Sequence, residues 1–508
     1  MIQVGGIMQE SIHPVSEKLE ENKKRYEAIY ENCDDVKKID ITLSGGRKVF
    51  LAYEEVTLAS GNLGATAVGV FLEWLEKKEG TNQELSEAIL ENEGRISDYR
   101  IYDNIEEAAQ GMLTGDSILF VDGVPYGIKI SDKGFPGIGV SSCESEKVVR
   151  GSNEGFSESV KTNVALVRKR VRSTRVKVKS YTMGVRSHTL VNVLYIEDLA
   201  YPSVVRELDR RMKEYLVDGV LDSGVIEQLA EESWLSPFPQ FQTTQRPDKA
   251  AFSLLEGRVV VLSDNSPVAL ILPCDYNSFL KTTDDYYNRW DMATFARILR
   301  FFSSFFAMTL PGLYLALTNF HTQILPTSLL LAFQEAREGV PFPTVLEVLL
   351  MELSFELLRE AGVRLPGAMG STIGIVGGLI IGQAAVEAHL VSPIVVILVS
   401  FTALCSFAIP SEEFAYAFRV LKFLVIFASA WLGYFGFLVC ITVILFHLAR
   451  LKSFGIPYLT PFSGGDINGD LDKRDALWRY PLQKNNVRPI YARRNQRVRL
   501  RRKKTKNS

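Results

Sequence analysis

Cysteine and histidine are scarce in this sequence, and their scarcity argues against several kinds of site. Five cysteines and five histidines are dispersed over 508 residues without paired spacing, so we expect reduced, structural thiols rather than disulfides or a metal-ligand cluster. No P-loop or nucleophile-elbow pattern occurs. The sequence therefore predicts no enzyme, no metal site and no cofactor.

A secretory signal is also missing. The first residues, MIQVGGIMQESIHP, contain no basic start followed by an apolar core, which a signal peptide requires. We expect the first 290 residues to remain in the cytosol.

Charge divides the chain into three blocks. Residues 1–297 hold 35 basic and 46 acidic residues, residues 298–449 hold 6 and 9, and residues 450–508 hold 16 and 4. An acidic block of soluble type, an apolar block and a basic tail thus follow one another. Basic segments flank membrane spans on the cytosolic side, so we expect both ends of the chain there. The tail either attracts anionic lipid or serves only as a topology signal.

One helix-and-hairpin pattern occurs twice in the acidic block. The stretch NIEEAAQGMLTGDSILFVDGVPYGIKI, from residue 104, aligns without gaps with RPDKAAFSLLEGRVVVLSDNSPVALIL, 142 residues later. The identical pairs include Gly115 with Gly257 and Asp122 with Asp264. Each stretch predicts a helix and two strands around a turn. We interpret the block as two α/β subdomains of one plan; the alternative is chance similarity between common units.

A basic stretch, RKRVRSTRVKVKSY at residues 168–181, lies between the two patterns. Arg175, Lys177 and Lys179 alternate with valines, which predicts a strand with one basic face. Because the block is acidic overall and no stacking aromatics are interleaved, we favour a solvated or subunit-contact face over a nucleic-acid surface.

The apolar block predicts four membrane-spanning helices, with six as the alternative. Pro311 lies in the first, where a packed membrane helix tolerates it. The last apolar run, residues 414–451, is either one tilted helix or two pieces divided near Gly433 and Gly436. The four predicted spans are residues 298–320, 368–390, 391–409 and 418–449.

The stretch Met369–His389 carries glycine at every fourth position. A step of four residues drifts only about 40° around a helix, so these glycines share one face. Small residues let a second helix approach closely in lipid. Gln383 and Glu387 lie roughly opposite. The predicted packing residues are Gly370, Gly374, Gly378 and Gly382.

An acidic amphipathic segment, Val345–Arg364, precedes the glycine helix, and its Glu352 and Glu356 share a face. The segment either lies at the membrane interface or lies in the membrane with its carboxylates toward an aqueous pathway. In the second case Glu352, Glu356, Gln383 and Glu387 are candidate pore residues that favour cations. The alternative for Glu387 is a position near the helix end, in contact with head-group water.

These patterns together predict an α/β cytosolic domain of two subdomains followed by an α-helical polytopic membrane domain. The expected divisions are a polar lead-in at 1–35, subdomains at 36–150 and 151–290, a membrane domain at 291–451, and a basic, largely disordered tail at 452–508.

Several stretches resemble the A-subunit family of spore germinant receptors, the GerA type. They are SPFPQFQTTQRPDK at 236–249, DDYY at 284–287, the run from VPFP at 340 to EAHLVS at 392, and the closing SFGIPYLTP at 453–461. The resemblance runs from about residue 90 to about residue 462. One departure is Gln245, where family members usually carry an acidic residue before Arg-Pro-Asp.

The resemblance implies a multi-pass protein of the endospore inner membrane that triggers germination. It would act with a transporter-like B subunit, which binds the nutrient, and with a lipoprotein C subunit. Self-association into a ring would form a cation-releasing channel among membrane lipids, with no nucleic acid involved. Two alternatives remain: a stage V sporulation AF-type paralogue, and a non-conducting scaffold that clusters germination proteins.

Overall fold

The structure is a computed structural model of the 508-residue chain. It describes residues 13–55, 66–78, 80–131, 143, 146, 148, 150–363, 378, 380–463 and 475–499. Two α/β subdomains come first, a helical bundle follows, and a C-terminal segment returns to the second subdomain.

The first subdomain is a five-stranded sheet with helices on both faces. Its strand order is β1-β2-β4-β5-β3, and each neighbouring pair is antiparallel. The elements are α1 Leu19–Ile29, β1 Val36–Thr42, β2 Lys48–Glu54, α2 Ala67–Lys77, α3 Asn82–Leu90, β3 Tyr99–Tyr102, α4 Ile105–Met112, β4 Asp116–Val121 and β5 Gly127–Ser131.

Side chains of this sheet alternate between two hydrophobic clusters, because successive residues of a strand point to opposite faces. Phe50 and Phe120 join the cluster of α1 and α4, whereas Leu51 and Leu119 join that of α2 and α3. With both faces covered, β4 is buried along its whole length. Since α1 contributes to this core, the first subdomain begins before the expected boundary at residue 36.

The second subdomain repeats the strand order as β6-β7-β9-β10-β8, again antiparallel throughout. Helices α5 and α8 cover one face and α6 and α7 the other. The elements are α5 Val160–Arg170, β6 Val176–Met183, β7 Thr189–Ile196, α6 Pro202–Met212, α7 Ser223–Ala230, β8 Gln242–Thr244, α8 Pro247–Leu255, β9 Val259–Ser263 and β10 Ala269–Leu272.

The two subdomains also share local hydrogen bonds. Asn22 Oδ1 accepts from the Ser16 N–H at 2.8 Å, and Asn22 Nδ2 donates to the Ser16 carbonyl at 2.6 Å. Asn163 and Ser157 form the same two bonds at the same two distances. Both asparagines are buried. A buried amide that is satisfied in the same way at equivalent positions favours duplication over chance similarity.

A second shared bond ties the hairpin turn to the first helix of each subdomain. Asp122 Oδ1 accepts from the Leu19 N–H at 3.2 Å, and Asp264 Oδ1 accepts from the Val160 N–H at 3.0 Å. The sequence alignment already paired these two aspartates. Their shared contact explains the identity, because each carboxylate satisfies an amide at the start of a helix, where no helical partner exists.

The basic stretch at residues 168–181 lies at the contact between the subdomains. Arg168 is 1% exposed; its Nε lies 2.7 Å from Asp35 Oδ2 and 3.6 Å from Glu54 Oε1. Lys177 Nζ donates to the Ile29 carbonyl at 2.9 Å. The expectation of a solvated or subunit-contact face for the strand of Arg175, Lys177 and Lys179 is wrong for Lys177, because it satisfies a carbonyl of the neighbouring subdomain within the same chain.

The apolar block forms a bundle around two long helices. Its elements are α9 Asp284–Tyr287, α10 Trp290–Asn319, α11 Thr327–Glu335, α12 Thr344–Val363, α13 at residues 380–387, α14 Pro393–Phe407 and α15 Glu412–Arg450. Within the described residues, α10 and α15 are the two helices long and apolar enough to cross a membrane.

Helix α15 folds back on itself. Gly433, at φ 61° and ψ −141°, interrupts it. The Phe238 ring of the second subdomain lies 6.1 Å from the Phe414 ring and 6.2 Å from the His447 ring. A straight helix would hold Phe414 and His447 about 50 Å apart. The single span predicted at 418–449 is therefore wrong, and α15 consists of two antiparallel legs, residues 412–432 and 434–450.

The remaining helices run antiparallel to their chain neighbours. The Ser392 N–H, at the start of α14, donates to Glu347 Oε2 near the start of α12 at 2.9 Å. Arg359, near the end of α12, donates to Ser406 near the end of α14 at 3.1 Å. Since α12 and α14 run parallel, α13 between them runs the other way. Within the described residues, six helical legs alternate in direction, in the order α10, α12, α13, α14 and the two legs of α15.

The predicted disordered tail is wrong for residues 475–499, which pack on the rest of the chain. Tyr491 is 2% exposed, and the Arg258 guanidinium lies 3.9 Å from its ring centre. The Arg493 N–H donates to the Leu199 carbonyl at 2.9 Å. Before this segment, β11 Lys452–Ser453 and β12 Ile456–Pro457 form a short hairpin. The basic composition predicted disorder. The segment is ordered because a few of its residues, Tyr491 and Arg493 among them, contact the second subdomain.

Candidate functional site

A cluster of charged side chains lies where α12 meets the first leg of α15. Glu352 and Glu356 are one turn apart on α12, and Arg419 and Lys422 face them from α15. Lys422 Nζ pairs with Glu352 and lies 3.4 Å from Glu356 Oε1. Arg419 NH1 lies 3.1 Å from Glu356 Oε2. The four side chains form a continuous ion-pair network between two helices.

The network is deeply buried at its centre. The Glu352 side chain is 2% exposed and that of Lys422 is 5% exposed. Glu352 Oε1 has no hydrogen-bond partner among the described residues. Sequence analysis placed these carboxylates at an interface or along an aqueous pathway; in the structure they face α15 instead. Opposite charge explains this placement, since an unpaired buried carboxylate is far more costly than a paired one.

Arg419 and Lys422 were missed as site residues in the sequence. The available signal was two basic side chains within an otherwise apolar run, where ionisable residues are rare and usually paired. Their spacing of three residues also matches one helix face. What the sequence could not supply was the partner, because Lys422 and Glu352 are 70 positions apart.

A second buried carboxylate, Glu347, fixes the opposite end of α12. It is 0% exposed, and its Oε2 accepts the Ser392 N–H that opens α14. Arg337 NH2 lies 3.1 Å from Glu347 Oε1. Glu347 therefore joins the loop after α11, the start of α12 and the start of α14 at a single carboxylate.

The glycine face of α13 packs within the chain. Gly370 and Gly374 lie outside the described residues. Gly378 and Gly382 are buried; a Cβ would lie 3.3 Å from the Phe355 ring at the first and 3.0 Å from Val396 Cγ1 at the second. Helices α12 and α14 thus occupy the face that was predicted to admit a partner helix.

Gln383 and Glu387 lie on the outside of this chain. Both are exposed, and Gln383 Nε2 donates to Glu387 Oε1 at 3.0 Å. The structure therefore separates the four candidate pore residues. Glu352 and Glu356 are inside the bundle, while Gln383 and Glu387 form a polar pair on its surface.

The C-terminal segment fastens the soluble half to the start of α10. Asp475 lies 2.8 Å from Arg297 NH1 and 3.4 Å from Lys281 Nζ, and Tyr286 donates to it at 2.8 Å. Burial alone would raise the pKa of Asp475, but Lys281 and Arg297 outweigh burial and hold it well below its usual range. The carboxylate therefore stays charged and connects three elements.

A group of like charges lies on the other side of this junction. Burial, followed by the nearby Glu413 carboxylate, raises the pKa of Glu227 to about 8 and that of Glu231 to about 6. Glu227 and Glu231 lie on and after α7, and Glu413 opens α15. Among the described residues, no group of three acidic, cysteine or histidine side chains could hold a metal ion.

Comparison with protein families gives one match over most of the chain. The model of the family described as Bacillus/Clostridium GerA spore germination protein matches residues 24–491. This range includes the soluble half, the bundle and most of the C-terminal segment.

Curated relatives are similar over most of their own length. The chain is 37% identical over 468 residues to the "Uncharacterized membrane protein YfkQ" of Bacillus subtilis, covering 92% of this chain and 90% of that one. It is 41% identical over 364 residues to "Spore germination protein A1" of Bacillus subtilis, covering 72% and 76%. It is 39% identical over 380 residues to "Spore germination protein GerLA" of Bacillus cereus, covering 75% and 77%.

One solved structure is also similar. It is the N-terminal domain of the A subunit of the Bacillus megaterium spore germinant receptor GerK3, with 25% identity and a TM-score of 0.39. The match covers 51% of this chain and 96% of that domain.

Proposed function

The chain belongs to the GerA spore germination protein family, and we propose that it is the A subunit of a nutrient-gated germinant receptor that releases cations. The family supports a role in a germinant receptor. The channel, the ring and the partner subunits are the finer parts of the proposal. The channel and the ring rest on features of the bundle, and the partner subunits rest on the resemblance to the family.

The polar pair on the bundle surface carries the channel proposal. Gln383 and Glu387 are exposed on α13, and Gln383 Nε2 donates to Glu387 Oε1. A carboxylate and an amide on a membrane helix usually face protein or a water-filled cavity rather than lipid. Several copies of the chain arranged in a ring would place these pairs around a common path. Carboxylate rings favour cations.

In this proposal, the buried ion-pair network between α12 and α15 is the closed state of the channel. Glu352 and Glu356 are neutralised by Lys422 and Arg419 within one chain. Nutrient sensing would shift the packing of α12 on α15 and expose the carboxylates. The shift would occur at the direct contact between those two helices.

The proposed topology follows from the alternating legs. The two subdomains and the C-terminal segment lie at one end of the bundle, which we assign to the cytosolic side of the endospore inner membrane. Six legs return the chain to its starting side, and the basic tail there agrees with the positive-inside rule. A transporter-like B subunit and a lipoprotein C subunit would complete the receptor.

Conductance of the purified oligomer in a planar bilayer tests the proposal. We expect Glu387→Gln to lower cation selectivity severalfold, because the ring loses its charge. Glu335→Gln on α11 is the matched control, an exposed carboxylate outside the candidate site, and should conduct like the parent. A Glu387→Gln oligomer with unchanged conductance and selectivity would remove Glu387 from the pore.

A non-conducting scaffold is the second candidate function. The observation that favours it is the complete pairing of Glu356 and Lys422 inside one chain, which leaves no open path there. A parent oligomer without conductance, which still assembles with its partner subunits, would select the scaffold. The stage V AF-type alternative is tested separately by whether the chain co-purifies with a transporter-like subunit.

A further inference from the structure

A tight turn next to the helical bundle presents two large apolar side chains to solvent. Trp234 is 80% exposed and Leu235 is 75% exposed. They occupy the centre of a turn that is closed by the Ser236 N–H donating to the Ser233 carbonyl at 3.1 Å. Exposure of two adjacent residues of this size is costly in water, so a partner surface is expected.

Hydrogen bonds to Gln240 and His447 hold the turn in place. The buried Gln240 accepts the Ser233 N–H at 3.1 Å and donates to the Ser233 carbonyl at 2.9 Å. Ser236 Oγ lies 2.8 Å from His447 Nε2, near the end of α15. Phe238 is buried against both legs of that helix. The exposed pair is therefore fixed at one level of the bundle.

That level is the cytosolic end of the bundle. His447 lies in the last turn of α15, and Arg450 and Lys452 follow it as exposed cations. Val443, one turn before His447, and Phe446, directly before it, are 61% and 62% exposed on α15. The apolar surface of the bundle thus continues from α15 to the height of the turn. Tryptophan beside basic residues at a helix end is typical of the membrane–water interface.

We propose that Trp234 and Leu235 insert into the cytosolic head-group layer and anchor the second subdomain to the lipid surface. The proposal rests on the proposed function, because it requires the bundle to span the membrane. The occupant is lipid rather than protein, since the turn is held at the level of His447, next to the exposed apolar side chains Val443 and Phe446 of a helix assigned to the bilayer. The anchor would hold the subdomain against the cytosolic ends of α15 while the bundle moves.

Tryptophan quenching in nanodiscs tests the anchor with the full chain. Parent protein and Trp234→Phe are reconstituted in phosphatidylcholine and phosphatidylglycerol brominated either near the head group or near the chain end. The fluorescence of the parent minus that of Trp234→Phe gives the signal of Trp234 alone. We expect bromine near the head group to quench this signal about twofold more than bromine near the chain end. Trp431→Phe is the control for contact between the bundle and lipid. It gives the signal of Trp431 alone, a side chain that is 82% exposed on α15 close to Gly433.

The outcomes separate the anchor from the membrane bundle. Quenching of Trp234 by aqueous iodide and not by brominated lipid overturns the anchor. Resistance to both quenchers means that protein, such as a second copy, covers the turn, and this also overturns it. If Trp431 and Trp234 both escape every brominated lipid, the spanning bundle fails and the anchor fails with it, whereas quenching of Trp431 but not of Trp234 by brominated lipid overturns the anchor alone.

Discussion

The two α/β subdomains share one strand order but differ in what surrounds them. The first packs on the second through Arg168, Asp35 and Glu54. The second also contacts the helical bundle through Phe238 and the C-terminal segment through Arg258. Of two subdomains with the same architecture, the second thus contacts the first subdomain, the bundle and the C-terminal segment.

A pair of equivalent positions shows how this difference arose. Asp116 opens β4, and its carboxylate lies 2.9 Å from Lys129 Nζ within the same sheet. Arg258, 142 positions later, precedes β9 and stacks on Tyr491 of the C-terminal segment. The charged side chain at this position is paired within the sheet in the first subdomain, whereas in the second it bonds Gln242 of the sheet and also stacks on the C-terminal segment. Differences at single positions of a shared plan thus give the two subdomains different contacts.

Breaking the contact between the subdomains should have the largest effect. Arg168→Met would leave Asp35 and the fully buried Glu54 without their cation, at a cost of about 3–5 kcal/mol in unfolding free energy. Denaturant titration of the purified protein measures it. Lys161→Met is the control, because its pair with Glu55 is exposed and should contribute at most about 1 kcal/mol. Equal costs would mean that the buried pair does not hold the subdomains together.

Releasing the end of the C-terminal segment should affect the second subdomain and not the first. Tyr491→Ala removes a buried aromatic ring, at a cost of about 3 kcal/mol, and should speed tryptic cleavage after Arg493 by about a hundredfold. Tyr480→Ala in the same segment, where the side chain is 42% exposed, should leave cleavage unchanged. If both variants are cut at the parental rate, Tyr491 does not fasten the segment.

The shared asparagines should have equal effects. Asn22→Ala and Asn163→Ala each remove both hydrogen bonds to a half-buried serine amide and carbonyl, and each should lower the unfolding free energy by about 2 kcal/mol. Denaturant titration with fluorescence detection compares the two. If the losses of unfolding free energy differ several-fold, the repeated hydrogen bonds do not contribute equally to the stability of the two subdomains.

The smallest expected effect concerns pH and only the second subdomain. Because the pKa of Glu227 is raised from its usual range to about 8, the folded state binds the extra proton, and stability falls as pH rises through this interval. Glu227→Gln removes this loss and should make the unfolding temperature less dependent on pH between pH 6 and pH 9. Thermal unfolding at pH 6 and pH 9 measures the difference. A parental pH dependence in the variant would contradict the assignment.

Local pattern was sufficient for the helix-and-hairpin unit of each subdomain and for its repetition. Helix periodicity, strand alternation and the turn residues depend on neighbouring positions, so Asp122 and Asp264 could be paired without a structure. The candidate site was only partly predictable. Glu352 and Glu356 were identified by their spacing on one helix face, but the cations that neutralise them were not.

The sequence by itself determined the order of an acidic α/β half, an apolar half and a basic end, because composition and periodicity are properties of local stretches. Tertiary structure alone decided three features: the reversal of α15 at Gly433, the docking of Tyr491 on Arg258, and the pairing of Glu352 with Lys422. Each depends on contacts between residues far apart in the chain. Such contacts are chosen by packing and by the cost of burying an unpaired charge, which no local pattern records.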